Sequence, residues 1–292
     1  MDKKLLLILN PRAGRTRSPA PFLDILDYFS QCGYLVSFRL TTQSGDATRY
    51  VVEEGAHFDI IVCCGGDGTL NETAVGLLQL QNPPPLGYIP CGSTNDFAHS
   101  LHLPVKPLEA AQHMMQSSGR TLDVGSFNGR PFIYVASFGA FTRTSYHAPQ
   151  SVKNDLGHLA YLLDGVFDLP SLRPYRARIE ADGEVFDDSF LFGAILNTTS
   201  IGGLVKLGEE QVVLDDGKFE LLLIPNPHTL QELQGIARSV LAQDFSGVIL
   251  RHVSQVRILP REDFHWSLDG EFCAASPEIV IQNQHQRLNL LL

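Results

Sequence analysis

Long apolar runs are missing from this chain of 292 residues. None approaches the roughly 20 residues that cross a bilayer, so no transmembrane segment is predicted. The start, Met1-Asp2-Lys3-Lys4 with an apolar stretch over residues 5–9, has the basic flank of a secretory signal. Asn10-Pro11-Arg12 stands where a small-residue cleavage site belongs, however, and the stretch reads as a first buried strand. Positive charge is also scarce. Lys and Arg number 22 against 32 Asp and Glu, and the net charge of −10 has the wrong sign for a general nucleic-acid binder. Cysteine is sparse and odd in number: Cys32, Cys63, Cys64, Cys91 and Cys273 include no C-x-x-C, which fits neither a disulfide framework nor a zinc site. Cys63 and Cys64 close an apolar run and read as small buried hydrophobes, and a reducing compartment, the cytoplasm, follows. The histidines form no H-E-x-x-H pattern, and neither G-x-S-x-G nor G-x-x-x-x-G-K-[ST] occurs. Zinc-hydrolase, serine-hydrolase and P-loop readings therefore lack their signatures.

What is present has two grammars. Up to about residue 120, short apolar runs alternate with helical patterns, as in βαβ units around a parallel sheet. Strands are predicted at 5–9, 34–40, 59–64 and 86–89. Helices are predicted after Ser18-Pro19, at 46–54, at 70–80 and at 107–117. Phe22, Ile25, Leu26 and Phe29 carry the helical spacing of the first, and Gly33 closes it. Beyond, Asn128-Gly129 and Asp182-Gly183 mark hairpins, the first between strands at 122–127 and 132–137. Further strands are predicted at 190–196, 219–224, 253–259 and 279–282, with helices at 156–167 and 229–241. This divides the chain into an α/β domain over 1–122 and a β-rich domain over 123–292, with a cleft between them, the usual place for a small-molecule site.

The most informative segment is Gly65-Gly66-Asp67-Gly68-Thr69-Leu70-Asn71-Glu72, at the carboxyl end of a parallel strand and the start of a helix. Three glycines let backbone approach a polyphosphate, and a helix N-terminus offers amide donors. Asp67 among them would repel phosphate unless a cation lies between, which points to Mg²⁺. A dinucleotide fingerprint would need glycine where Asn71 stands. A tight turn with a capping Asp is the competing account of such a loop taken alone.

These eight residues resemble the nucleotide motif of the diacylglycerol kinase catalytic-domain family, which also contains sphingosine and ceramide kinases. NAD kinases share the Gly-Gly-Asp-Gly-Thr core, and phosphofructokinases share a related fold. Other segments resemble the lipid kinases in family order. Asn10-Pro11-Arg12-Ala13-Gly14 resembles the family's Asn-Pro-x-Ala/Ser-Gly element. Pro90-Cys91-Gly92-Ser93-Thr94-Asn95-Asp96-Phe97-Ala98 resembles its Pro-x-Gly-Thr-x-Asn-Asp-Phe-Ala element, with Ser93 in place of Thr. Leu214-Asp215-Asp216-Gly217 and Leu268-Asp269-Gly270-Glu271 resemble its two later Asp-Gly turns. Soluble bacterial diacylglycerol-kinase-like lipid kinases are the nearest group. The fold implied is an N-terminal phosphofructokinase/NAD-kinase-like α/β domain and a C-terminal, mostly antiparallel β-sandwich domain.

The resemblance implies an ATP-dependent, Mg²⁺-dependent lipid kinase, cytoplasmic and transiently at the membrane surface. Gly65, Gly66, Asp67, Gly68, Thr69, Leu70 and Asn71 would hold the nucleotide, with Asn10, Thr41 and Ser93 beside them. Asp67 would organise the catalytic ion, and Asp96 and Asp123 would extend its polar network; for these two, helix capping and strand-edge solvation compete. Glu271 would act as the general base on the lipid hydroxyl, against a plain hairpin turn with a solvated Glu. Val213, Asp216 and Lys218 would bind a structural Mg²⁺, against a simple Asp-Gly turn. Leu159, Leu162, Leu163, Val166 and Phe167, with Leu169, form an apolar helix face that would border the acyl chains or be plain core. Arg12, Arg15 and Arg17 make a local cationic cluster for headgroup or nucleotide phosphate, or a solvated loop. A homodimer is compatible with the sequence. The alternatives are an NAD kinase, disfavoured by the Asn-Pro-x-Ala-Gly, Asn-Asp-Phe-Ala and Asp-Gly-Glu elements, and a non-catalytic nucleotide or lipid sensor, which would be expected to have lost Asp67 or Glu271.

Overall fold

The computed structural model describes residues 3–14, 20–93, 95–139, 173–201, 205–207 and 212–292. The chain divides into two compact units, Met1–Leu122 with Gln286–Leu292, and Asp123–His285.

The first unit opens with β1 (Lys3–Leu9), whose Leu5, Leu6, Leu7 and Ile8 are all buried. A strand covered on both faces needs an unbroken apolar run, which is why the segment resembles a signal core. Then follow α1 (Ala20–Gln31), β2 (Tyr34–Leu40), α2 (Asp46–Glu54), β3 (Ile60–Gly65), α3 (Asp67–Leu77), β4 (Leu86–Pro90), α4 (Asp96–Ser100) and α5 (Pro107–Gln116). β1 pairs in parallel with β2 and β3, and β3 with β4. In the resulting order β2-β1-β3-β4 the direction of strand addition reverses between β1 and β3. Such a switch point opens a crevice outside the carboxyl ends of its strands. Ile25 and Phe29 of α1 and Ala110, Ala111 and Met114 of α5 share a core with Leu5, Leu7, Val62 and Cys64 of the sheet.

The second unit is built from β5 (Arg120–Phe127), β6 (Arg130–Phe132), β7 (Val135–Gly139), β8 (Tyr175–Ala181), β9 (Glu184–Leu196), β10 (Ser200–Ile201), β11 (Val205–Lys206), β12 (Phe219–Pro225), α6 (Leu230–Leu241), β13 (Ile249–Val253), β14 (Gln255–Pro260), β15 (Trp266–Leu268), β16 (Glu271–Cys273) and β17 (Ile279–Leu291). β5 begins in the first unit and β17 ends there. Antiparallel pairing dominates. The first half of β9 pairs with β8, and its second half lies between β7 and β12. Its core is aromatic, with Phe138 4.9 Å from Trp266 and 4.8 Å from Phe264, and Phe127 5.0 Å from Trp266, ring centre to ring centre.

Several elements differ from the sequence reading. The helix expected at 70–80 begins at Asp67, with Gly66 as its extended N-cap. The short α4 was not expected. The strand expected at 132–137 is two strands, because the Asp269 carboxylate takes the amides of Ile133, Tyr134 and Val135. The strand expected at 253–259 breaks at Ser254, where the Asp182 carboxylate takes the amides of Ser254 and Gln255. The last strand runs on to Leu291 and pairs in parallel with β4 through Leu290 and Leu86. That pairing returns Gln286–Leu292 to the first unit. The helix expected at 156–167 and Leu169 lie outside the described residues, as do Arg15, Arg17 and Thr94.

Candidate functional site

Three loops meet at the carboxyl ends of β1, β3 and β4. Asn10 leaves β1 and donates its backbone N–H to the Cys64 carbonyl at 2.9 Å. Its Nδ2 donates to Thr69 Oγ1 at 2.9 Å, and its Oδ1 accepts the Arg12 amide. Asn10 thus ties the β1 loop to the first turn of α3. Thr41, buried at the end of β2, donates its backbone N–H to Leu9. The Cys91 N–H reaches the Gly65 carbonyl at 2.8 Å. A Cβ at Gly92 would lie 2.7 Å from the Gly66 Cα, so these two loops touch backbone to backbone. Asn95, in the left-handed region at φ 52°, clasps Gly92 through both ends of its amide. Ser93 is exposed beside it. The glycines at 65 and 92 are therefore required by packing, and Gly66 is tightly confined. Gly68 is exposed with open space where a Cβ would stand. The first turn of α3 presents amides that its own helix cannot satisfy, a ready anion cradle.

Asp67 heads this turn. Its carboxylate accepts the amides of Asp96 at 3.2 Å and Phe97 at 3.4 Å, which start α4. Burial pushes its pKa above the ordinary carboxylate range; those amides and the nearby His99 pull the other way. Among the described residues no Lys or Arg pairs with it. A desolvated carboxylate beside an anion cradle, lacking a side-chain cation, fits a divalent ion shared with phosphate oxygens and water, as Mg²⁺ is commonly held. No group of three or more His, Cys, Asp or Glu among the described residues could hold a metal on its own. Asp96 is buried, with its amide on Asp67. Leu70 and Asn71 are buried in the body of α3. Glu72, the last residue of the motif, turns elsewhere: its carboxylate accepts Ser44 Oγ, the Gly45 amide and the Ala47 amide, capping α2.

The other expected site residues belong to the second unit. Asp123 is 0% exposed, so it is no solvated strand edge. It accepts the Gly217 amide at 2.7 Å, Asn283 Nδ2 at 3.1 Å and His285 Nδ1 at 2.9 Å. It thereby anchors the Asp216 turn, where Gly217 has φ 81° and Asp216 Oδ1 accepts the Lys218 amide at 2.9 Å. Val213 and Lys218 are exposed, and the Lys218 carbonyl accepts Asn283 Nδ2. On β17, beside this oxygen-rich turn, Asn283 Oδ1 is buried without a partner, an orphaned oxygen whose chemistry fits a hard cation. Glu271 starts β16, directly after the left-handed pair Asp269-Gly270, and its carboxylate meets Arg130 Nη2 at 3.1 Å. Sequence reasoning missed Arg130 and the clamp made by Asp269. Only the D-G turn itself carried a signal.

A glycine loop opening a helix at the switch point of a parallel sheet, with an adjacent carboxylate, is the arrangement in which α/β folds commonly seat phosphate groups. Residues 4–127 match the model of the diacylglycerol kinase catalytic domain. The chain is 36% identical over 279 residues to a diacylglycerol kinase of Bacillus subtilis (strain 168), covering 94% of this chain and 92% of that one. It is 32% identical to a diacylglycerol kinase of Staphylococcus aureus (strain MRSA252), covering 95% and 89%. In fold it is similar to a solved diacylglycerol kinase structure from Bacillus anthracis str. Sterne, with a TM-score of 0.81 at 24% identity, covering 99% of this chain and 97% of that chain. Another solved chain from that organism superposes with a TM-score of 0.86, also at 24% identity, covering 99% and 95%. This chain belongs to the diacylglycerol kinase catalytic-domain family and is a lipid kinase.

Proposed function

We propose that the protein transfers the γ-phosphoryl group of ATP to the hydroxyl of diacylglycerol or a closely related lipid, with Glu271 as general base. The observation that carries this reading is the Gly65–Asn71 cradle with Asp67 desolvated beside it. The acceptor is taken from the names of the relatives. Phosphoryl transfer asks the protein mainly for positioning and charge neutralisation. The α3 amides and Gly68 would seat the β- and γ-phosphates, and Asp67 would hold Mg²⁺, which when bound neutralises charge developing on the phosphate oxygens. Glu271 would accept the proton of the lipid hydroxyl as its oxygen attacks the γ-phosphorus and the bond to ADP breaks. Its ion pair with Arg130 involves two side chains about 40% exposed or more. Such a pair is worth at most about 1 kcal/mol and yields to a substrate hydroxyl at little cost. A second cation at the Val213, Asp216 and Lys218 turn would stiffen the loop that Asp123 anchors. No helix among the described residues is long and apolar enough to cross a membrane, so the lipid would be reached from the membrane surface.

Labelled ATP offered with a panel of lipids in mixed micelles, with and without Mg²⁺, tests the proposal. Glu271→Gln should lower kcat by about 100- to 10,000-fold, the usual share of a general base, with Tm unchanged. Asp67→Asn should abolish Mg²⁺-dependent transfer. Full activity in Glu271→Gln would remove the base assignment. Phosphorylation of NAD in place of any lipid would overturn the acceptor.

A further inference from the structure

Two of the five cysteines face each other within the nucleotide end of the first unit. Cys64 lies on β3 directly before Gly65-Gly66-Asp67, and Cys91 follows β4 directly before Gly92. Their Sγ atoms are 3.2 Å apart and share a hydrogen bond. The neighbouring Cys63 projects to the opposite face of the pleat, as alternation along a strand requires. Cys64 is fully buried and Cys91 partly exposed. The hydrogen bond shared with Cys64 holds the Cys91 thiol below its ordinary range, while the same bond and burial push Cys64 well up. Cys91 is thus the sulfur that ionises more readily of the two and meets solvent, and Cys64 is placed to resolve whatever forms on it.

We propose that Cys64 and Cys91 form a reversible thiol–disulfide modification site, oxidised by small hydroperoxides, whose closure weakens nucleotide binding at the adjacent glycine loop. The Cys91 thiolate attacks one oxygen of hydrogen peroxide. The O–O bond breaks and hydroxide leaves, taking a proton from solvent to become water. The Cys64 sulfur then attacks the Cys91 sulfenic acid, the S–O bond breaks, and the hydroxyl leaves as water with the Cys64 proton. Two thiols and one peroxide become one disulfide and two waters, the sulfurs losing two electrons and the peroxide gaining them.

A disulfide has an S–S length of about 2.05 Å, so the sulfurs must close by about 1.2 Å. Rotation about the two Cys χ1 bonds supplies part of that movement, and the backbone around them has little slack for the rest. The Cys91 amide is bonded to the Gly65 carbonyl, and the Gly66 and Gly92 backbones are already in contact. Drawing β3 and β4 together at this end therefore displaces the Gly65–Gly68 segment. This functional half rests on the nucleotide reading above; the chemical half does not.

The full-length protein, reduced and freed of reductant, is treated with hydrogen peroxide, alkylated and mapped by peptide mass spectrometry, and its ATP affinity is measured before and after. A Cys64–Cys91 linked peptide should appear, vanish on treatment with dithiothreitol, and accompany a reversible rise of about tenfold or more in the Kd for ATP. Cys91→Ser should retain the activity of the reduced enzyme and lose sensitivity to peroxide. Cys64→Ala, a second variant in case the first does not fold, should form no linked peptide and should drive Cys91 on to sulfinic acid. Cys64 and Cys91 still alkylatable after peroxide, with exposed Cys32 oxidised instead, would overturn the site. A linked peptide with ATP affinity unchanged would overturn its effect on binding. Reduced protein with no affinity for ATP would sink the nucleotide reading, and the peptide map would still judge the disulfide.

Discussion

A Cβ added to Gly65 would lie 2.6 Å from the Thr69 side chain, which packing excludes, and one added to Gly66 would press on Gly92 Cα at 3.2 Å, so that backbone would have to give. Gly68 is under no such constraint, and it sits in the first turn of α3 without a left-handed φ. An alanine there meets nothing in the protein and favours the helix by up to about 1 kcal/mol. Its methyl would occupy the space in which a phosphate approaches the backbone. Gly68→Ala should therefore leave Tm equal or slightly raised while KM for ATP rises by on the order of tenfold, one phosphate contact of about 1.4 kcal/mol. Unchanged KM in a thermal-shift and steady-state comparison would mean that phosphate does not lie over Gly68. Glu72 shows the opposite case, a motif residue committed to capping α2 and unavailable to the nucleotide.

Two hairpins of the second unit use an aspartate in the same way. Asp182-Gly183 joins β8 to β9 and Asp269-Gly270 joins β15 to β16, with φ of 43° and 97° in the first pair and 49° and 85° in the second. Positive φ at both central residues is the turn that matches strand twist, and Asp and Gly tolerate it. Each aspartate also reaches across to amides where a neighbouring strand breaks. Asp269 is 3% exposed and accepts three backbone donors, the shortest at 2.6 Å. Replacing one carboxylate oxygen by an amide NH₂ sets donor against donor in a buried place, at about 3 kcal/mol. Asp269→Asn should thus lower Tm by several degrees, and it should lower kcat more than KM for ATP, because Glu271 stands two residues along the same hairpin. Wild-type Tm and kcat together would show that the clamp contributes little.

The first unit is completed by the far end of the chain. Leu288 and Leu290 are buried, Leu290 and Leu291 pair with Leu86 and Gly87 of β4, and the Leu292 amide bonds Ser117 Oγ at 2.9 Å. The parallel sheet therefore closes only after the whole second unit has been made, a long-range pairing of the kind that slows folding. Leu290→Ala removes a fully buried side chain from that last strand and should cost about 3 kcal/mol, seen as a lower urea midpoint by far-ultraviolet circular dichroism. An unshifted midpoint would mean that the terminal strand is dispensable to the unit.

Elements governed by near neighbours were readable from the residues. The helix expected at 46–54 is α2 to the residue, the strand expected at 34–40 is β2, and the glycine loop stands at the carboxyl end of β3, as the apolar run ahead of it required. Local periodicity and turn chemistry act over a few residues, so they are written in order along the chain. The break at 133–134 was hidden because its cause, Asp269, is remote in sequence. The reach of β17 was hidden because Gln282 to Arg287 has the polar look of a tail, and pairing with β14, β5 and β4 along its length, not its own pattern, makes the whole run strand. The facing thiols of Cys64 and Cys91, the escort of Glu271 by Arg130 and the diversion of Glu72 to α2 share that origin. Each is a contact between residues far apart along the chain, and side-chain chemistry names the groups able to make such a contact without saying which partner folding brings within reach.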